Sequence, residues 1–166
     1  MTELDIASRA LYGEPAFTGP VHASSVAIDG YAVLIGGPSG AGKSDLALRL
    51  IDRGALLISD DYTLVKAVGD DVIASAPPTI GERMEVRGLG VLPMPHVENV
   101  RVGLVVIAAG TGDDAPERYP VTPPLCRLCG IDVPLLRLGL LEASAPIKLE
   151  MALHHRNQPL DQRSES

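Results

Sequence analysis

Gly37-Pro38-Ser39-Gly40-Ala41-Gly42-Lys43-Ser44 decides how the rest of this 166-residue chain is read. The segment fits the pattern G-x-x-x-x-G-K-S, and its setting supports the match. Upstream, Tyr31-Ala32-Val33-Leu34-Ile35 is an apolar run with the character of a buried strand. Downstream, Asp45–Arg53 has the apolar spacing of a helix and stops at Gly54. Strand, glycine-rich loop and helix in that order make a phosphate cradle. Glycines let the backbone curl so that successive N–H groups point at phosphate oxygens. The helix N-terminus adds the positive end of its dipole. Lys43 is placed to reach the β- and γ-phosphates, and the Ser44 hydroxyl to ligate Mg²⁺. Gly37 through Ser44 are therefore the expected nucleotide-binding residues.

The bulk composition sets bounds around that motif. The length suits one domain, and 46% hydrophobic with 21% charged residues is ordinary for a globular chain. Aromatics are only 3%, so Val, Leu, Ile and Ala must build the core. A net charge of −7 argues against a nucleic-acid footprint. No apolar run reaches the length of a membrane span, and the start Met1-Thr2-Glu3-Leu4-Asp5 lacks a secretory pattern. The expectation is a cytoplasmic protein with neither nucleic acid nor membrane as partner. Cys126 and Cys129 form a lone C-x-x-C. Zinc would need two more ligands, which the adjacent His154-His155 supply poorly, so both cysteines read as partly buried free thiols.

Along the chain, residues 1–20 have weak periodicity and read as a loosely attached arm. Val21–Ile28 reads as one strand, and Asp29-Gly30 signals a hairpin to Tyr31–Ile35. A strand before a phosphate loop normally lies among parallel neighbours, so this hairpin points to a different P-loop architecture. Ala55–Asp61 is an apolar run ending in two acids. Tyr62–Ala67 and Val72–Ala76 read as a second hairpin, and Pro77–Gly81 as a loop. Val100–Ala109 is strand-like, Thr111–Arg118 polar and turn-rich, and Pro120, Pro123, Pro124 and Pro134 break the next region into short pieces. Ile147–His155 reads as a final helix and residues 156–166 as a flexible tail, leaving one phosphate-binding domain over 21–155.

Phosphoryl transfer also needs charge neutralisation and a group that deprotonates the acceptor. Asp60 and Asp61 fall at a strand end where the chain has returned to the phosphate side, and adjacent strand residues face opposite ways. A second constellation is Met84–Pro93. There Glu85 offers a hard oxygen to Mg²⁺, Arg87 a guanidinium to phosphate, and Gly88-Leu89-Gly90 a close backbone approach. On residue chemistry alone, an ordinary surface turn explains that segment equally well.

His22, Gly37–Ser44, Asp60-Asp61 and Glu85-Val86-Arg87-Gly88-Leu89-Gly90, taken in series, resemble the catalytic domain of bacterial HPr kinase/phosphorylase. The likeness is strong over residues 21–95 and weak elsewhere. It implies an α/β P-loop kinase domain of the phosphoenolpyruvate carboxykinase-like type, β-rich with antiparallel hairpins around the loop. It also implies an ATP- and Mg²⁺-dependent protein-serine kinase acting on HPr or an HPr-like phosphocarrier of a phosphotransferase system. The family's site can also remove that phosphate by phosphorolysis. By this resemblance Asp60 is the general base, Lys43 the phosphate-binding lysine, and His22 an active-site histidine. On its own chemistry, Arg87 joins them as a catalytic cation. Ser44 and Glu85 are Mg²⁺ ligands, with Asp61 as a further one. The resemblance further implies a homo-oligomer, hexameric in the family, and a short form lacking the family's N-terminal domain. Its later Arg-Asn loop, linked to phosphorolysis, has no convincing match here. Two other readings use the same loop: a P-loop kinase of a small-molecule hydroxyl, and a non-catalytic ATP sensor.

Overall fold

The computed structural model describes residue 6 and residues 9–78, 82–110 and 124–156. A 3₁₀ turn (Ala10–Gly13) precedes β1 (Gly19–His22), β2 (Ser24–Ile28) and β3 (Tyr31–Gly36), which runs into the phosphate loop and α1 (Lys43–Asp52). Next come β4 (Leu56–Ser59), β5 (Tyr62–Val68), β6 (Asp71–Ser75) and the hairpin β7 (Arg83–Val86) with β8 (Gly90–Pro93). β9 (Val100–Ala108), β10 (Leu125–Leu128), β11 (Ile131–Leu138) and α2 (Ala145–His155) complete the order. Thr111–Arg118 and the tail beyond Arg156 lie outside the described residues.

Nine strands form one mixed, curled sheet in the order β1-β5-β6-β9-β3-β2-β4, with β11 on β9 and β10 on β11. β3 lies between antiparallel β2 and parallel β9. The Asp29-Gly30 hairpin is present as expected, with φ of 51° and 82° at its two turn residues. β3 and β9 are buried on both faces, which explains their unbroken apolar sequences. Leu34, Val105 and Ile107 enter one core cluster, while Val33, Ile35, Leu104 and Val106 enter the other, under the helices. Leu46, Ala47 and Leu50 bring α1 onto that second cluster, and Leu149 and Leu153 bring α2. Arg53 forks onto Glu150 with two 2.8 Å hydrogen bonds, tying the helices together. The Tyr31 ring lies between the Arg101 and Arg156 guanidiniums, at 4.3 and 3.9 Å from its centroid.

Two expectations change. The run 21–28 is two strands, because the chain bends at Ala23: β1 pairs with β5, whereas β2 pairs with β3 and β4. The two halves nonetheless continue one antiparallel ribbon. His22 faces Tyr62 and Ser25 faces Ser59 in the same register, which sets Ala23-Ser24 opposite Asp60-Asp61. The N-terminal arm is also not loose over its described part. Tyr12 is buried, and the Tyr12 and Gly13 carbonyls accept from Cys129 N–H (2.8 Å) and Gly130 N–H (3.0 Å). Cys126 and Cys129 are buried beneath this contact and form no disulfide, and burial pushes the Cys129 thiol pKa up. No helix among the described residues is long and apolar enough to cross a membrane.

Leu50 is fully buried between α1 and the sheet. Leu50→Ala should lower the unfolding free energy by about 2–5 kcal/mol, read as a lower urea midpoint with unchanged slope.

Candidate active site

The loop sequence builds its own curvature. Gly42, the N-cap of α1, has φ 102°, and a Cβ there would lie 2.6 Å from Leu141 Cδ2. A Cβ on Gly37 would meet Ala108 Cβ at 2.8 Å. Any side chain at these positions would therefore push the loop off its supports. Ala41 N–H closes the turn on the Pro38 carbonyl at 3.1 Å. Lys43 is buried, and its ammonium donates to the Gly37 carbonyl at 2.8 Å and the Pro38 carbonyl at 3.1 Å.

A cavity of about 590 Å³ opens over this loop. Ser39, Gly40, Gly42, Lys43 and Ser44 line one side of it. Gly37, Pro38 and Ala41 do not line it; they shape the loop from behind. His22, Asp60 and Asp61 reach the cavity from the bend in the ribbon, and Glu85 and Arg87 from the β7–β8 hairpin. Every residue expected to be catalytic or metal-binding thus borders one cavity. The Glu85–Arg87 segment borders the same cavity as the phosphate loop. Its alternating pattern buries Met84 and turns Arg83 and Glu85 outward, while β8 zips Glu85 against Val91.

The bend sets the geometry of the two acids. Tyr62 N–H bonds back to the Asp60 carbonyl at 2.7 Å across Asp61, whose φ is 63°. Holding a non-glycine residue there costs about 1–3 kcal/mol, a strain typical of functional sites. Asp60 Oδ1 accepts from Ser44 Oγ (2.8 Å), Ser24 Oγ (3.1 Å) and Asp61 N–H (3.1 Å). Asp60 is therefore a buried anchor, whereas Asp61 is exposed to the cavity. Partial burial raises the Asp61 pKa above the ordinary carboxylate range, and the charges of Asp60 and Glu85 add to it. His22 and Lys43 pull it the other way. The His22 ring lies 5.2 Å from the Tyr62 ring, tilted by 48°.

Ser44, Asp60, Asp61 and Glu85 are hard oxygen donors, the chemistry that suits Mg²⁺ when phosphate and water complete its shell. Among the described residues no three His, Cys, Asp or Glu side chains close on a ready-made metal cage. Sequence reasoning missed several members of the site. Leu48 and Leu141 also line the cavity. Arg49 donates to the carbonyls of Leu140 and Glu142 (2.9 Å for the latter), holding that segment on α1 beside the phosphate loop. Only the fold brings those residues together. Ser24 did leave a signal, as a small polar residue inside an apolar strand.

Fold and cavity together define a P-loop domain in which the loop follows a strand of a mixed sheet and faces a pair of acids. The chain belongs to the family of the HPr serine kinase C-terminal domain, whose model matches residues 16–102. It is 35% identical over 128 residues to HPr kinase/phosphorylase from Chlorobium phaeobacteroides, covering 72% of this chain and 38% of that protein. Over 81 residues it is 41% identical to the HPr kinase/phosphorylase of Mycoplasmopsis pulmonis, covering 49% of this chain and 26% of the relative. The chain thus spans well under half the length of these curated relatives. The structure of the Hpr(Ser) kinase/phosphatase from Coxiella burnetii superposes with a TM-score of 0.73 at 25% identity, over 88% of this chain and 94% of that one.

Arg49→Ala should free the Leu140–Glu142 segment and raise the KM for nucleotide severalfold with little loss of global stability. Nucleotide titration alongside thermal unfolding checks both parts.

Proposed function

We propose that this chain is the catalytic domain of an ATP- and Mg²⁺-dependent protein-serine kinase of the HPr kinase type. It would transfer a phosphoryl group to a serine of HPr or an HPr-like phosphocarrier in the cytoplasm. The observation that carries this reading is the placement of Glu85 and Arg87 on the same cavity as Lys43, Ser44 and the two acids. Family membership supports the acceptor and extends the proposal to phosphorolysis by the same site and to self-association. The mixed sheet around the P-loop strand supports a phosphoenolpyruvate carboxykinase-like fold type.

Each residue then has a task. Lys43 exchanges its two carbonyl partners for phosphate oxygens, and the loop N–H groups hold the rest of the triphosphate. Mg²⁺ held at Ser44 and Glu85 would neutralise phosphate charge. Arg87 adds a second cation at the transferring group. The geometry favours moving the role that resemblance gave Asp60 to its neighbour. Asp60 already accepts three hydrogen bonds and fixes the Ser44 hydroxyl. Asp61 faces the cavity, so it is the better placed of the two to accept the serine proton. His22 stands beside it on the same wall.

The rim favours a protein acceptor over a metabolite. Tyr62, Leu89 and Leu141 are 47%, 73% and 67% exposed around the cavity and the adjoining hairpin turn. Exposed apolar side chains of this kind suit a macromolecular surface.

Asp61→Asn should abolish phosphoserine formation on the carrier, measured by intact mass, and leave ATP binding nearly unchanged. Asp60→Asn should also weaken Mg²⁺-dependent binding, because it disturbs Ser44. Retention of wild-type transfer by Asp61→Asn would contradict the assignment. The acid limb of kcat/KM should lie above the ordinary carboxylate pKa near 4. Folding raises the Asp61 pKa, so its ionisation destabilises the fold at neutral pH and this penalty vanishes below the unfolded value. Asp61→Asn should accordingly raise Tm at pH 7 and have no such effect in strong acid, as scanning calorimetry across pH would show.

A further inference from the structure

We infer that Ser24 is a positioning residue that sets both acids of the site through one hydroxyl. The inference rests on the kinase reading for its catalytic consequence and on geometry alone for its structural part. Ser24 Oγ donates to Asp60 Oδ1 at 3.1 Å and accepts the backbone N–H of Asp61 at 3.4 Å. Ser44 Oγ reaches the same Asp60 oxygen at 2.8 Å from the start of α1. Asp60 Oδ1 is thus gripped from the phosphate loop by one serine and from the ribbon bend by another.

The placement of Ser24 is itself determined. Its residue is fully buried and faces Ile35, near the end of β3 where the chain enters the phosphate loop. A neighbouring hydroxyl pair lies beside the bend and touches neither acid. Thr63 Oγ1 gives its single proton to the Ala23 carbonyl at 2.8 Å, so Ser25 must be the donor in the 2.7 Å contact between Ser25 Oγ and Thr63 Oγ1. Ser25 and Thr63 therefore hold the ribbon, while Ser24 is the ribbon hydroxyl that reaches both acids. With Ser24 in place, the strained φ of 63° at Asp61 and the orientation of Asp60 are fixed relative to the phosphate loop. Without it, Asp61 loses an acceptor for its N–H and Asp60 loses one of its three donors.

The test compares Ser24→Ala, Ser24→Thr and Ser25→Ala in the full chain, at a temperature well below all their unfolding midpoints. Ser24→Ala should lower kcat about 10- to 100-fold, the usual effect of removing a group that orients a ligand or catalytic side chain. The KM for ATP should stay unchanged, and amide exchange at Asp61 should quicken. Ser24→Thr, which keeps the hydroxyl, should restore both. Ser25→Ala should change neither kcat nor exchange at Asp61. An unchanged kcat and unchanged exchange in Ser24→Ala would overturn the assignment, as would an equal loss from Ser25→Ala. If Ser24→Ala does not fold, Ser24→Cys, nearly isosteric but a weak donor, takes its place with the same two outcomes. If the unsubstituted chain transfers phosphate to no carrier, the kinase reading fails, and exchange at Asp61 alone decides for or against Ser24.

Discussion

The arrangement depends on one interruption in an antiparallel ribbon. Residues 19–25 and 59–65 run side by side in one register, except where Ala23-Ser24 meets Asp60-Asp61, and the pairing shifts by one residue beyond Ser25. There the strands leave the ladder, and each forms a local backbone bond, Ala23 N–H to the Val21 carbonyl and Tyr62 N–H to that of Asp60. A continuous ribbon would place successive side chains on alternate faces and keep both acids from serving one cavity. The bend turns Asp60 into the interior against Ser44 and leaves Asp61 in the cavity. Strain at Asp61 is tolerated because Ser24, Ser59 and Thr63, all fully buried, satisfy the polar groups that the bend exposes.

That interruption also divides the electrostatic work. An acid that accepts three hydrogen bonds is a structural anion, suited to orienting the hydroxyl next to it. An acid beside it, partly enclosed and close to a second negative charge, holds its proton more tightly. Two neighbouring carboxylates thus acquire different properties from environment alone. Lys43 and His22 oppose the upward shift at Asp61.

Much of this was legible in the residues. The phosphate loop, its flanking strand and helix, and the Asp29-Gly30 hairpin rest on local rules of spacing and turn chemistry, and the structure contains them. Both strands buried on two faces, β3 and β9, read correctly as continuous apolar runs. The division of Val21–Ile28 was not legible, because Ala23 carries no breaker signal; the bend is imposed by pairing with two different partners. The docked 3₁₀ turn escaped notice for a similar reason: Tyr12 and Gly13 bind a tight turn more than a hundred residues away in sequence. In the site, Lys43, Ser44 and the acids were visible as motif and strand end. Glu85 and Arg87 became persuasive only through family resemblance, since a short charged hairpin says nothing alone about what it faces. The different surroundings of Asp60 and Asp61 depend on which carboxylate turns inward, and a pair of adjacent acids cannot reveal that. Leu141 and Arg49 required the fold.

The central claim is that residues 37–44, the acid bend at 59–62 and the hairpin at 83–89 form one nucleotide-dependent site. Hydrogen–deuterium exchange with and without ATP and Mg²⁺ tests it most directly. Joint slowing of exchange in all three segments, lost together in Lys43→Ala, is the predicted result. Protection confined to residues 37–44, with the bend and hairpin unchanged, would contradict the claim and leave a phosphate loop without the machinery to use it.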